Sequence, residues 1–237
     1  MPTARESLLS AALLALDRRP WSAVRMVDVA AAAGVSRQTL YNEFGGKDGL
    51  ARALVRREAD AYFHGMDRLL YDRPGYAPPG SAVLNGTGGN GAGVVDRLVA
   101  VAEWTVAQAR ARPLLRALLT GCWGEQLPAP GPVGPGAPQG GAPAQRRADA
   151  GPPDPADLAA AIRDRSLAAL SSLASQSEPA SGRGGGRGTG GSGRTPEEVA
   201  VLAYRCEVAV RLALSYVVAP DGAGVGSIVR TAVGRPF

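Results

Sequence analysis

The chain has one histidine, two cysteines and a single lysine among its 237 residues. One imidazole and no cysteine pair at ligand spacing exclude a structural zinc site, so no metal is expected. Two cysteines are too few for a disulfide framework. Cys122 and Cys206 lie in apolar stretches and read as small core residues in a reducing compartment, a redox switch being the lesser alternative. No apolar run reaches the length that spans a bilayer, and the N-terminus lacks a charged, apolar, cleavable export pattern. A cytoplasmic location away from membranes is therefore expected. No hydrolytic triad or paired-carboxylate arrangement can be identified, so neither an enzyme nor a bound cofactor is expected. What is present is 45% apolar residues, enough for a packed core, and a net charge of +5. That charge favours an anionic partner only weakly, because it is spread along the chain.

The most informative stretch is residues 26–50, MVDVAAAAGVSRQTLYNEFGGKDGL. Met26, Val29, Ala30 and Ala33 recur at helical spacing, and Gly34 supplies the positive φ of a sharp turn. Ser36 then suits an N-cap, with Val35 placed to staple onto Leu40. In the helix that follows, Leu40 and Phe44 share one side while Gln38 and Asn42 point the opposite way, flanked by Thr39 and Tyr41. Gln and Asn amides pair with adenine edges in the major groove, arginine at 37 reaches guanine or phosphate, and a tyrosine hydroxyl suits a phosphate oxygen. Gly45 and Gly46 break the chain, and Lys47 opens the next helix, where its ammonium and the free amides can hold a phosphate. Every other basic residue in the chain is arginine, which marks Lys47 for a functional reading, with chance survival in an arginine-biased composition as the alternative.

Read together, Trp21, Val29-Ala30, Ala33-Gly34-Val35-Ser36, Leu40-Tyr41, Phe44, Lys47-Asp48 and Leu50 resemble the DNA-binding motif of the tetracycline-repressor (TetR) family of transcriptional regulators. The pattern departs at Arg25, where the family usually has a Thr or Ser capping its second helix, and at Glu43, where His or Tyr is common. The resemblance covers about the first third of the chain. It implies an all-α protein with an N-terminal three-helix domain over residues 1–46, a connecting fourth helix over 47–72, and a helical effector-binding and dimerisation domain over 73–237. The DNA-binding set expected is Arg25, Ser36, Arg37, Gln38, Thr39, Tyr41, Asn42 and Lys47. A homodimer pairing its terminal helices would address double-stranded DNA at a palindromic operator, and a small apolar effector would release it.

Elsewhere the chain reads as helices between loose segments. Thr3 to Glu6 forms a capping box opening a helix to about Arg18, before Pro20, and Trp21 plugs the loop that follows. Leu50, Leu54, Ala61 and Leu69 or Leu70, interleaved with Arg52, Arg56, Arg57, Glu58 and Asp60 on the polar side, mark a long amphipathic helix to about Tyr71, with the Arg56-Arg57 pair read as a solvated face and a phosphate contact as the lesser alternative. Val95, Leu98, Ala102 and Val106 mark another over 94–111, broken at Pro113 before Leu114, Leu115, Leu118 and Leu119. Helices over 155–175 and 195–218 follow, then a short one over 225–233. The 195–218 helix is apolar on more than one face and so needs neighbours on two sides.

Segments 73–93, 127–153 and 178–194 are rich in Gly and Pro, and are expected to be disordered or linking. The first contains a literal GxGxxG from Gly86 to Gly91, but no strand follows to complete a dinucleotide-binding unit. The Arg183–Arg187 run reads as linker rather than an RNA-binding tract. Candidate ligand-pocket residues are His64, Trp104, Leu118, Cys122, Trp123 and Tyr204, with ordinary core or surface as the alternative for each. Two other functions compete with the regulator: a structural DNA-binding protein without effector response, and, more distantly, a nucleotide-dependent enzyme.

Overall fold

In a computed structural model the described residues are 2–71, 93–129, 153–176, 195–220, 222 and 224–234. Every regular element among them is helical. In chain order they are α1 (Ala4–Leu16), a 3₁₀ turn (Trp21–Ala23), α2 (Met26–Ala32), α3 (Arg37–Phe44), α4 (Lys47–Tyr71), α5 (Val94–Ala111), α6 (Pro113–Thr120), α7 (Pro155–Gln176), α8 (Pro196–Val218) and α9 (Val225–Val233). The GxGxxG run, the Arg183–Arg187 run and most of the three Gly/Pro-rich segments lie outside the described residues. Residues 127–129 do not. Leu127 N–H donates to the Gly124 carbonyl at 3.0 Å and Pro128 is buried, so the order reaches further than composition implies. No described helix is long and apolar enough to cross a membrane.

The described residues pack as two compact units, Met1–Tyr62 with Ala111–Ala156, and Phe63–Arg110 with Asp157–Phe237. In the first, the reciprocal Thr3–Glu6 box opens α1, whose Leu8, Leu9, Ala11 and Ala12 are buried. The helix ends at Leu16, with Asp17 as its C-cap, two residues short of Arg18. Pro20 disfavours helical geometry at Arg19, and the last turn winds down before it. Trp21 is buried in the 3₁₀ turn, and its N–H donates to the Gln126 carbonyl at 2.8 Å. That bond fastens the segment after α6 to the entry of α2.

Along α4 the buried row runs Leu50, Leu54, Glu58, Tyr62, Met66 and Leu70, at unbroken i, i+4 spacing. Ala61, expected in the stripe, is exposed, because treating Glu58 as surface slides the inferred register by one residue. Glu58 is in fact buried. Arg112, in the break between α5 and α6, places Nε 2.8 Å from its Oε1 as a close ionic contact and donates from Nη2 to Oε2 at 3.2 Å. Burial pushes the Glu58 carboxyl above its usual range, against the opposing pull of Arg112 and Arg57. Arg57 is not merely solvated either, since it donates to Ser10 Oγ of α1 at 3.1 Å.

In the second unit, α5 buries Leu98, Val99, Val101, Ala102, Thr105, Val106 and Ala109. Helix α8 opens with a full Thr195–Glu198 capping box and buries Leu202, Cys206, Ala209, Val210, Ala213, Tyr216 and Val217. Helix α9 packs on α8, and its Arg230 pairs with Asp96 of α5. Arg165 of α7 pairs with Asp67 at 2.6 Å and lies over the Phe63 ring, 4.4 Å from its centroid, which ties α7 to the second half of α4.

Candidate nucleic-acid interface

The site begins with a turn. Helix α2 ends in a Schellman motif: Gly34, at φ 68°, donates its N–H to Ala31 O, and Val35 N–H reaches Ala30 O, both at 3.1 Å. Only a residue tolerant of the left-handed region closes that turn without strain. Arg25 sits at the N-cap of α2 with extended backbone and no side-chain capping bond. Ser36 caps α3, its Oγ accepting from Thr39 N–H at 3.0 Å and lying 2.8 Å from Thr39 Oγ1.

Eight residues are too few for a helix to persist alone in water, so packing must hold α3. Leu40 and Phe44 are buried, each contributing about 1.5–3 kcal/mol. The opposite face is left to solvent: Arg37, Gln38, Tyr41 and Asn42 are exposed, with Thr39 half-buried at its flank. Gln38 Nε2 donates to Asn42 Oδ1 at 2.9 Å, so the two amides form one joined polar surface a helical turn long. Its free edges carry a donor pair and an acceptor, the complement of an adenine edge.

Gly45, at φ 70°, returns its N–H to Tyr41 O at 2.8 Å and ends α3. Gly49 is then obligatory for a different reason, because any β-carbon there would collide with the Phe44 carbonyl. Lys47, the first residue of α4, lies beside the 3₁₀ turn. Its Nζ donates to Ser22 O at 3.1 Å and sits 5.3 Å from the Trp21 ring centroid. An ammonium has three donors, so the carbonyl contact leaves capacity for a phosphate.

Residues 8–54 match the model of the family described as bacterial regulatory proteins, tetR family. The matched residues run from α1 into α4, so the likeness to that family lies in the N-terminal helices. Over 56 residues the chain is 54% identical to the HTH-type transcriptional regulator AlkX of Mycobacterium tuberculosis, a stretch that is 24% of this chain and 26% of that protein. The TetR-type match thus spans about a quarter of the curated relative. Among solved structures, the TetR family repressor AlkX from Dietzia sp. strain DQ12-45-1b, implicated in biodegradation of n-alkanes, is 20% identical and aligns over 98% of this chain and 94% of its own, with a TM-score of 0.47. A tetR-family regulator from Streptomyces coelicolor is 17% identical over 98% of this chain and 79% of its own, with a TM-score of 0.48.

Beyond the TetR-type domain, the six pocket candidates are divided between the two units, Leu118, Cys122 and Trp123 in the first and His64, Trp104 and Tyr204 in the second. His64 and Cys122 are exposed, Tyr204 is 54% exposed, and Trp123 is half-buried. Leu118 is ordinary α6 core, and the Trp104 ring lies against Gly65. Cys122 is thus no core residue, whereas Cys206 is fully buried. A small apolar cavity in the second unit lies elsewhere, lined from α5, α7 and α8 by residues including Leu98, Thr105, Ile162, Ser166, Val210 and Ala213. None of the six candidates lines it. Those six are aromatic, polar or bulky, while this cavity is walled by aliphatic side chains and by two hydroxyls that already donate to carbonyls of their own helices, Thr105 to Val101 at 2.7 Å and Ser166 to Ile162 at 2.8 Å. Arg5 of α1, which no sequence pattern singled out, meets the far end of α3. Its Nη1 lies 3.2 Å from the Glu43 carbonyl oxygen and 3.4 Å from Glu43 Oε2, and its guanidinium is 4.7 Å from the Phe44 ring centroid.

Proposed function

We propose that this chain is a sequence-specific DNA-binding transcriptional regulator of the cytoplasm, a homodimeric repressor released from a palindromic operator by a small apolar effector. The observation that carries it is the division of α3, with Leu40 and Phe44 inside and Arg37, Gln38, Tyr41 and Asn42 outside. Gln38 and Asn42 read adenine edges, Arg37 reads guanine or phosphate, and Thr39 and Tyr41 flank them. Ser36 and Arg25 stand at the starts of α3 and α2, and Lys47 takes a backbone phosphate from the start of α4. Val199, Tyr204 and Val218 leave α8 with large apolar or aromatic groups in solvent, which a second copy would cover. Two recognition helices then meet successive major-groove faces about 34 Å apart.

The effector's place is the cavity among α5, α7 and α8, whose lining holds no ionisable group. An uncharged, apolar ligand is the kind it favours. A thousandfold loss of operator affinity would require about 4 kcal/mol of coupling between the two ligands. The cavity encloses only about 10 Å³, room for about one water, so an effector must open it. That small volume is also the observation that favours the second reading, a DNA-binding protein without effector response.

Selection of bound fragments from a random DNA pool tests the first reading: a two-fold symmetric consensus is expected, and a pool with no consensus refutes it. Gln38→Ala and Asn42→Ala should each cost about 1–3 kcal/mol and relax base preference. Lys47→Ala should weaken all sequences alike and reduce the salt slope by about one.

A further inference from the structure

We propose that Arg5, on the first helix, is a positioning residue for base reading: it clamps the C-terminal turn of α3 and fixes the register of Asn42 against DNA. This rests on the assignment of α3 as the reading helix. Helix α3 carries no basic residue in its last turn, so nothing of its own meets the partial negative charge on its final carbonyls. Arg5 supplies that cation from a residue 38 positions away in sequence, bonding the Glu43 carbonyl next to Asn42.

The position of Arg5 makes little sense for α1 itself. It is the second residue of that helix, where the exposed amides favour anions and disfavour a cation. The neighbouring Glu6, third in α1, obeys the rule and closes the capping box, with its carboxyl held below the usual range chiefly by its hydrogen bonds to Thr3. The cost of a cation at Arg5 is offset in α3. There the guanidinium stacks on the buried Phe44 ring, bonds the carbonyl before it, and neutralises the Glu43 carboxylate. Glu43 would otherwise place a negative charge beside a helix that approaches phosphates. With Ser36 holding one end of the eight-residue helix and Arg5 the other, neither terminal turn is free to fray.

The test uses the full-length chain and the fragment selected from the random pool. Arg5→Ala should lower operator affinity about tenfold. It should leave the salt slope unchanged, relax preference most at the base pairs that Asn42→Ala affects, and speed amide hydrogen exchange at Tyr41 to Gly45 in the DNA-free protein. Arg5→Lys keeps the charge and restores part of the affinity, and provides the comparison if the alanine variant folds poorly. Glu43→Gln, which leaves the carbonyl contact intact, should bind at least as tightly as the native chain. A salt slope reduced by about one in Arg5→Ala overturns the proposal, because Arg5 then contacts a phosphate directly. Unchanged exchange and base preference in both Arg5 variants overturn it as well. A native protein that selects no DNA sequence refutes the assignment of α3 itself, whereas a selective native protein matched by both variants refutes only the role of Arg5.

Discussion

Removing the two sides of the Glu58–Arg112 pair should have very unequal effects. Glu58 is buried, with its side chain 7% exposed, while that of Arg112 is 33% exposed. In Arg112→Met the carboxylate keeps its burial and loses its fork, whereas in Glu58→Gln the guanidinium loses a partner but retains water. Breaking a fully buried pair typically costs 3–5 kcal/mol; because Arg112 is a third exposed and Arg57 still acts on Glu58, about 2 kcal/mol is expected for Arg112→Met at pH 7.5. Glu58→Gln should stay within about 1 kcal/mol of the native chain. The pH dependence separates the cases further. A carboxyl whose folded-state pKa is raised binds its proton more readily in the folded than in the unfolded chain, so its penalty is full above the raised value and relieved as pH falls toward the ordinary carboxylate range. Without Arg112 that window moves upward, so the deficit of Arg112→Met should shrink between pH 7.5 and pH 5, while that of Glu58→Gln should not. Urea denaturation followed through Trp21 and Trp123, both in the same compact unit, measures this. Equal losses in the two variants, or a deficit for Arg112→Met that acid leaves unchanged, would refute the reasoning.

Two smaller perturbations probe the same scaffold. Ser36→Ala removes the acceptor for Thr39 N–H and should cost about 1 kcal/mol, with Ser36→Asp recovering most of it, as read by melting and by exchange at Thr39. Gly65→Ala drives a methyl into the Trp104 ring and should cost about 1–3 kcal/mol with an altered tryptophan emission, and a variant as stable as the native chain would show that the ring moves aside freely.

What could be read from the sequence was what local chemistry determines. The Thr3 and Thr195 capping boxes, the Ser36 cap and the turn at Gly34 each involve groups within about five residues, so the residue types alone specify the bonds. The span of α5 followed from its apolar period, and its stop from Pro113. What escaped depends on distant partners. Glu58 looks like surface until Arg112, 54 positions away, is beside it, and misplacing that one residue moved the inferred α4 stripe onto Ala61. The cavity was missed for a related reason. Its walls are aliphatic side chains brought together by three helices far apart in sequence, while the aromatic and polar residues that seemed suited to a pocket went to the surface or to unrelated packing.

The same distinction bears on how so short a helix as α3 is held in place. Burial of Leu40 and Phe44 fixes which way α3 faces, but two side chains about a turn apart leave it able to rock along its axis and fray at its ends. Ser36 holds the first turn with a bond inside the helix, and Arg5 holds the last turn from outside it. If α3 reads DNA as proposed, ordering these groups beforehand would spare the complex an entropic cost that free side chains would impose on binding. The Gln38–Asn42 bond extends this order to the proposed reading surface, since two amides that already hold each other offer their remaining hydrogen-bonding groups in one orientation. Each substitution at Ser36, Arg5 or Asn42 should therefore weaken the others' contribution to base preference, so that double variants lose less selectivity than the single losses added together.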